Sequence, residues 1–433
     1  MLDYKELLYF YFSLIFFLLL LNSAGLYDYS SVPAGFSCAL FFIFGLFFYF
    51  QQNHIHEKKS ILLLRLNLLN VLFYGLITQF SYCIEISYID LSKHLCGSFL
   101  LLSIFYAIST YDDLRSFIKT FIYFIEIYIL MTMCYYFYFK YAAGAFFSGI
   151  CYTMFYPYYY ATLVLAITPI SLYLYFTSEY KNPKEKLNFL ILFLICCLNV
   201  FLTSSRIAQI TLIISVFVML CHFYRLKEHK PEAKMIVSIF LIALLVGGLF
   251  ATDAFFRIAK SFSTQENFDL HDENGRLNIY KGALKTFLDY PLTGVGPALS
   301  SMFITKYRVS KLCITDCHNI VLNRLCETGI FYAFFSFSVL LTTLYLTFKF
   351  AFLNGHTVKT DGPNGGDNNL SSAALASFMS LLVVYLQGFS MPHSFLTSLV
   401  YLEYIIIALC ISSVKIAGLK NYSGGQSVTN VID

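Results

Sequence analysis

The chain has 433 residues, of which 58% are hydrophobic and only 12% charged. A soluble globular domain carries about 25% charged residues, so this composition excludes one and indicates a polytopic membrane protein whose core is defined by the bilayer. The net charge of +4 gives no sign of a nucleic-acid partner; the information lies in where the charges fall. Cysteines such as Cys96, Cys134, Cys196 and Cys197 sit inside apolar runs, where a thiol acts as a small hydrophobe, so they do not read as a disulfide framework.

Apolar runs long enough to cross a bilayer are predicted at 7–24, 32–51, 61–82, 92–110, 117–139, 156–177, 187–203, 205–224, 235–252, 329–350, 372–390 and 395–414. The expected fold is therefore all-α, with about twelve transmembrane helices. The first run, LLYFYFSLIFFLLLL, has no small-residue cleavage site after it and is expected to be a retained helix. Residues 141–155, apolar but rich in small residues, are expected to be re-entrant or interfacial.

Alternate short loops are basic: Lys58 and Lys59; Arg115 and Lys119; Lys181, Lys184 and Lys186; Arg225, Lys227, Lys230 and Lys234; Lys349 and Lys359; Lys415 and Lys420. The positive-inside rule makes these cytoplasmic and puts both termini inside. The expected organisation is helices one to nine over 1–252, a large outer loop over 253–328, three more helices over 329–414, and a cytoplasmic tail over 415–433. The segment 354–372 is a Gly/Asn-rich cytoplasmic linker.

Three polar pieces gather on the outer side. In TSSRIAQI, Arg206 sits where the seventh span turns into the eighth. In ENGRLNIYKGALKTFLDYPLTGVGP, Leu277, Tyr280, Leu284, Phe287 and Leu288 recur at helical spacing, which predicts an amphipathic helix over 276–288 lying on the membrane, capped by Asn274. Arg276 falls in its first turn, where the helix dipole disfavours a cation unless an anion is bound at the free N–H groups. YPLTGVGP then reads as a turn.

The third piece is DCHNIVLNRLCETGIFY, residues 316–332. Asp316 is expected to cap a helix starting near His318, with His318, Leu322, Leu325 and Gly329 on one face. Arg324 and Glu327 read as ordinary solvated residues. Cys313 and Cys317 either pair locally or stay as thiols.

In this order, after a run of hydrophobic helices, the three segments resemble the O-antigen ligase and polymerase superfamily of bacterial envelope glycan transferases. TSSRIAQ is similar to its small-residue–Ser–Arg motif. NGRLNIYKGALKTFLDYPLTGVGP resembles its arginine, helix and P-L-x-G-x-G turn. HNIVLNRLCETGIFY resembles its His–Asn, nine-residue gap and Gly-x-x-Tyr pattern. Many relatives carry tryptophan in the loop helix; this chain has none, and Tyr280 is expected to take its place.

The resemblance implies a donor glycan on undecaprenyl diphosphate, transferred at the outer face of the inner membrane without a metal and with inversion. Arg206 and Arg276 suit the diphosphate, because guanidinium stays charged and binds phosphate bidentately. A histidine titrates near neutrality, so His318 suits the general base that takes the acceptor hydroxyl's proton. Asn319, Tyr280 and Arg257 are further candidates for holding substrate. No cofactor is implied.

Within the superfamily, a ligase moves the polymer to lipid A–core, whereas a polymerase joins it to another lipid-linked repeat. The His–Asn to Gly-x-x-Tyr spacing favours ligase. The competing class is a transporter, supported by Glu126, Arg65 and Glu403 within spans. A transporter would concentrate such groups near the midplane, whereas most here fall at the outer boundary.

Overall fold

A computed structural model describes residues 4–22, 58–137, 157–178, 182–203, 205–226, 229–232, 234–237, 276–307, 317–354, 366–389 and 397–425. The expected span at 32–51, all but the first residues of that at 235–252, the segment 141–155, and most of the long outer loop lie outside these residues.

All regular structure among the described residues is helical. The helices are α1 (Tyr4–Asn22), α2 (Lys58–Thr78), α3 (Ile84–Ala107), α4 (Tyr111–Phe137), α5 (Pro157–Thr177), α6 (Pro183–Leu202), α7 (Arg206–Arg225), α8 (Arg276–Asp289), α9 (Ser300–Lys306), α10 (Ile320–Lys349), α11 (Gly366–Gly388) and α12 (Thr397–Gly425). Eight of the described helices are long and apolar enough to cross a membrane: α2, α4, α5, α6, α7, α10, α11 and α12.

Local chemistry sets several boundaries. Asn182 accepts from the Glu185 backbone N–H and Pro183 follows at the first helical position, which starts α6. Ser205 accepts from Ala208 N–H and starts α7 only a few residues after α6 ends. The short TSSR link therefore does separate two helices.

The core has a simple order. The most apolar stretches of α5 and α12 are buried throughout, as expected for helices that are hydrophobic all round. α3 packs on α12, α5 packs on both α6 and α11, and α1 packs on α4. α2, α6 and α10 keep wide apolar faces outward, including Leu62, Leu69, Leu72 and Leu76 of α2 and Phe331, Phe334, Leu341 and Tyr345 of α10.

α3 begins at Ile84, eight residues before the expected span at 92. Asp90, Lys93 and His94 lowered the apolarity of this stretch, yet Asp90 and His94 are buried by neighbouring helices. Glu126 accepts from Asn188 Nδ2 at 2.9 Å and Glu403 accepts from the Tyr385 hydroxyl, so both intramembrane acids have polar partners. Arg65 lies exposed on α2.

At the end that the basic loops assign to the cytoplasm, Lys5 bridges Asp113 at 2.9 Å, Lys119 bridges Glu185, and Lys186 bridges Glu232 at 2.7 Å. Lys415 donates to the carbonyls of Phe105 and Ile108 at the end of α3.

Candidate functional site

The opposite end carries a small unit built from α8, the turn after it, α9 and the start of α10. Ile279, Ala283, Ile304, Cys317 and Cys326 form its core, with Phe287 and Leu322 against it. This cluster is separate from the large bundle core. The rest of α8 is two-faced: Leu284 and Leu288 are exposed apolar groups, and Lys281, Lys285 and Asp289 form a charged strip beside them. The expected amphipathic helix is present.

The unit is clasped to α10 through backbone. Val295 N–H donates to Cys326 O at 2.8 Å, Gly296 N–H to Glu327 O at 2.9 Å, and Ile330 N–H to Pro291 O at 2.9 Å. These bonds form because α10 breaks at Gly329, with φ 71° and ψ 178°. That conformation is essentially confined to glycine, and the break turns helical carbonyls toward the turn. The approach is close: a Cβ on Gly329 would lie 2.2 Å from Leu292 O, and one on Gly294 would lie 2.3 Å from the Glu327 carbonyl carbon. Gly329→Ala is expected to cost about 2–4 kcal/mol from strain and collision. Gly75→Ala, whose Cβ meets only Leu91 at 3.8 Å, is expected to be neutral or stabilising by about 0.5–1 kcal/mol. Thermal melts of both variants in detergent check this; equal melting points would contradict the clasp.

The break corrects one expectation about His318. The histidine is not carried on a continuous transmembrane helix. It lies two residues before the first helical residue, Ile320, with φ +48°. The cap is Asn319, whose Oδ1 accepts from Val321 N–H at 2.9 Å and Leu322 N–H at 3.1 Å, so that role does not fall to Asp316. His318 is instead fixed between buried Cys317 and the Asn319 cap. The Tyr280 hydroxyl donates to the His318 carbonyl at 3.5 Å.

Arg324 and Glu327 are a second correction: both are buried, at 6% and 5% exposed. Residues 320, 323, 324 and 327 follow the i, i+3, i+4, i+7 pattern of an inward face, and the short first segment of α10 turns that face toward α2 and α9. Ser300 Oγ lies 2.8 Å from both Asn323 Oδ1 and Glu327 Oε1. The Arg324 guanidinium lies 5.5 Å from the Tyr74 ring. The Tyr74 hydroxyl donates to Asp90 at 2.5 Å, and His94 Nδ1 lies 3.2 Å from the Tyr404 hydroxyl. Sequence reasoning missed this group. Its signal was Asp90, Lys93 and His94 at helical spacing inside an otherwise apolar stretch.

The three sequence segments come together. Arg206 opens α7 beside its Ser205 cap, and Gln387 Nε2 donates to Ser205 Oγ at 3.3 Å. The next residue, Gly388, lies against Ile320, with a Cβ position 3.3 Å from the Ile320 side chain. Ile320 follows Asn319 and His318, and His318 meets Tyr280, one helical turn after Arg276. The starts of α7, α8 and α10 therefore share one region. Helix starts present free N–H groups and the positive end of the dipole, an environment suited to an anion. Arg257, Cys313, Asn274 and Asp316 lie outside the described residues.

Residues 191–337 match the family model described as O-antigen ligase. The matched stretch runs from α6 to the middle of α10 and contains all three polar segments. No curated protein matches the chain.

Proposed function

We propose, from the match of residues 191–337 to the family model described as O-antigen ligase, that this chain is an O-antigen ligase of the ligase and polymerase superfamily. It takes a polysaccharide from undecaprenyl diphosphate and transfers it to a sugar hydroxyl of lipid A–core at the periplasmic face of the bacterial inner membrane. The observation that supports this reading is the approach of the α7, α8 and α10 starts to one another, the helix ends at or beside which Arg206, Arg276 and His318 stand in the sequence.

In this mechanism the lipid tail stays in the bilayer and the diphosphate lies between Arg206 and Arg276. Charge builds on the diphosphate as the glycosidic bond breaks, and fixed guanidinium groups stabilise it without a metal. His318 takes the proton from the acceptor hydroxyl as that oxygen attacks the anomeric carbon. Attack opposite the leaving diphosphate inverts the anomeric centre. Asn319 holds the histidine's backbone in place by capping α10, and Tyr280 fixes the same backbone from α8. Arg257, in the outer loop, contacts the substrate in this reading.

A deletion strain tests the reading by lipopolysaccharide gel. Core lacking attached O-antigen, with polymer accumulating on the lipid carrier, is the expected result. Core bearing a single repeat would instead identify a polymerase, and a normal ladder would contradict both.

A further inference from the structure

The outer unit carries a second cluster that the transfer chemistry does not use. Tyr82 from the α2–α3 turn, Tyr290 from the end of α8 and Phe303 from α9 meet ring to ring. Their centroids are 5.0 Å apart for Tyr82–Tyr290, 5.2 Å for Tyr82–Phe303 and 5.7 Å for Tyr290–Phe303. Such tilted and edge-on contacts are normally a core feature, yet Tyr82 is 61% exposed. The rings are held in place from below. Tyr82 N–H donates to Val295 O at 3.1 Å, Ser87 Oγ donates to Pro297 O at 2.7 Å, and a Cβ on Gly296 would strike Ser81.

Aromatic side chains at the end of a membrane helix have an ordinary role as a headgroup belt. The surroundings here are mixed: Phe80, Leu288, Leu292 and Met302, near the three rings in sequence, are exposed apolar groups, and the rest of the rim is polar. Lys306 is exposed, and its ammonium lies 5.5 Å from the Tyr307 ring. The Tyr307 hydroxyl donates to exposed Asp289. Asp289 continues the charged strip of Lys281 and Lys285, about 100° around the helix from Leu288. Ring faces bordered by hydroxyls, an ammonium and a carboxylate are suited to a sugar: the rings cover its C–H faces and the polar rim bonds its hydroxyls.

Building on the transferase reading, we propose that the Tyr82–Tyr290–Phe303 surface is a distal subsite for the glycan chain of the lipid-linked donor. α8 sets the separation. Arg276 opens it and Tyr290 follows its last residue, so its 14 residues at about 1.5 Å rise put the two ends about 21 Å apart. That distance is several sugar residues. A donor carrying a long chain reaches from the diphosphate site to the surface, and a donor carrying one sugar does not. The subsite therefore confers a preference for long chains.

The test uses the full-length protein in nanodiscs with two donors, a single sugar and a long polymer on the same lipid diphosphate. Tyr82→Leu and Phe303→Leu keep apolar bulk for lipid but remove the ring. Each is expected to lower the ratio of kcat/KM for long over short donor by about three- to tenfold, the scale of one aromatic contact. An unchanged ratio in both variants overturns the subsite and leaves the headgroup belt. An equal loss on both donors also overturns it, as damage to the fold. If the unsubstituted protein transfers neither donor, the transferase reading itself fails and the subsite falls with it.

Discussion

His318→Ala is expected to insert and fold normally, to bind the lipid-diphosphate donor, and to lose transfer by about 10²–10⁴-fold, the usual scale for a lost general base. The expectation follows from how the residue is held. Asn319 caps α10 with its own side chain, and Tyr280 bonds the His318 carbonyl rather than its ring. Removing the imidazole therefore leaves both backbone supports standing. Turnover and donor binding must be measured separately, with purified protein and defined substrates. Near-normal transfer would remove the histidine from the base role. Loss of donor binding together with turnover would assign it to the phosphate site and leave Glu327 or Asp316 as the base.

The second large effect concerns the arginines. Arg206→Ala and Arg276→Ala are each expected to lower transfer by about 10²–10³-fold, the scale for removing one group that stabilises developing charge. Arg206→Lys is expected to remain strongly impaired, because an ammonium keeps the charge but loses the planar two-point contact with phosphate. Chelation with EDTA is expected to leave the unsubstituted enzyme active. Normal rates in both alanine variants would remove the clamp, and complete loss with EDTA, restored by added metal, would reject the metal-free mechanism.

Much of the architecture was legible because bilayer helices announce themselves as apolar runs. The TSSR break, the amphipathic helix from Arg276 and the turn in PLTGVGP were all readable from local chemistry, since caps, periodicity and glycines act over a few residues. The clasp was not. Nothing in PLTGVGP or in CETGI states that the two turns bond to each other, because that contact depends on the tertiary approach of Gly294 to Glu327 and of Gly329 to Leu292. The same limit explains Arg324 and Glu327. Polar residues at the mouth of a span look solvated until neighbouring helices cover them, and here α2 and α9 do so. It also explains α3, whose first turns looked too polar for a span because the partners of Asp90 and His94 lie on other helices, at Tyr74 and Tyr404.

The central claim is a direct, one-step transfer from a lipid diphosphate. It is tested by incubating the purified protein with a lipid-diphosphate-linked glycan of known anomeric configuration and an acceptor sugar. The new linkage is then read by NMR, and the released lipid diphosphate is counted. Inverted configuration, with one lipid diphosphate released for each linkage formed, is the predicted result. Retained configuration would require two displacements or attack from the face of the leaving diphosphate, and would contradict a single in-line transfer.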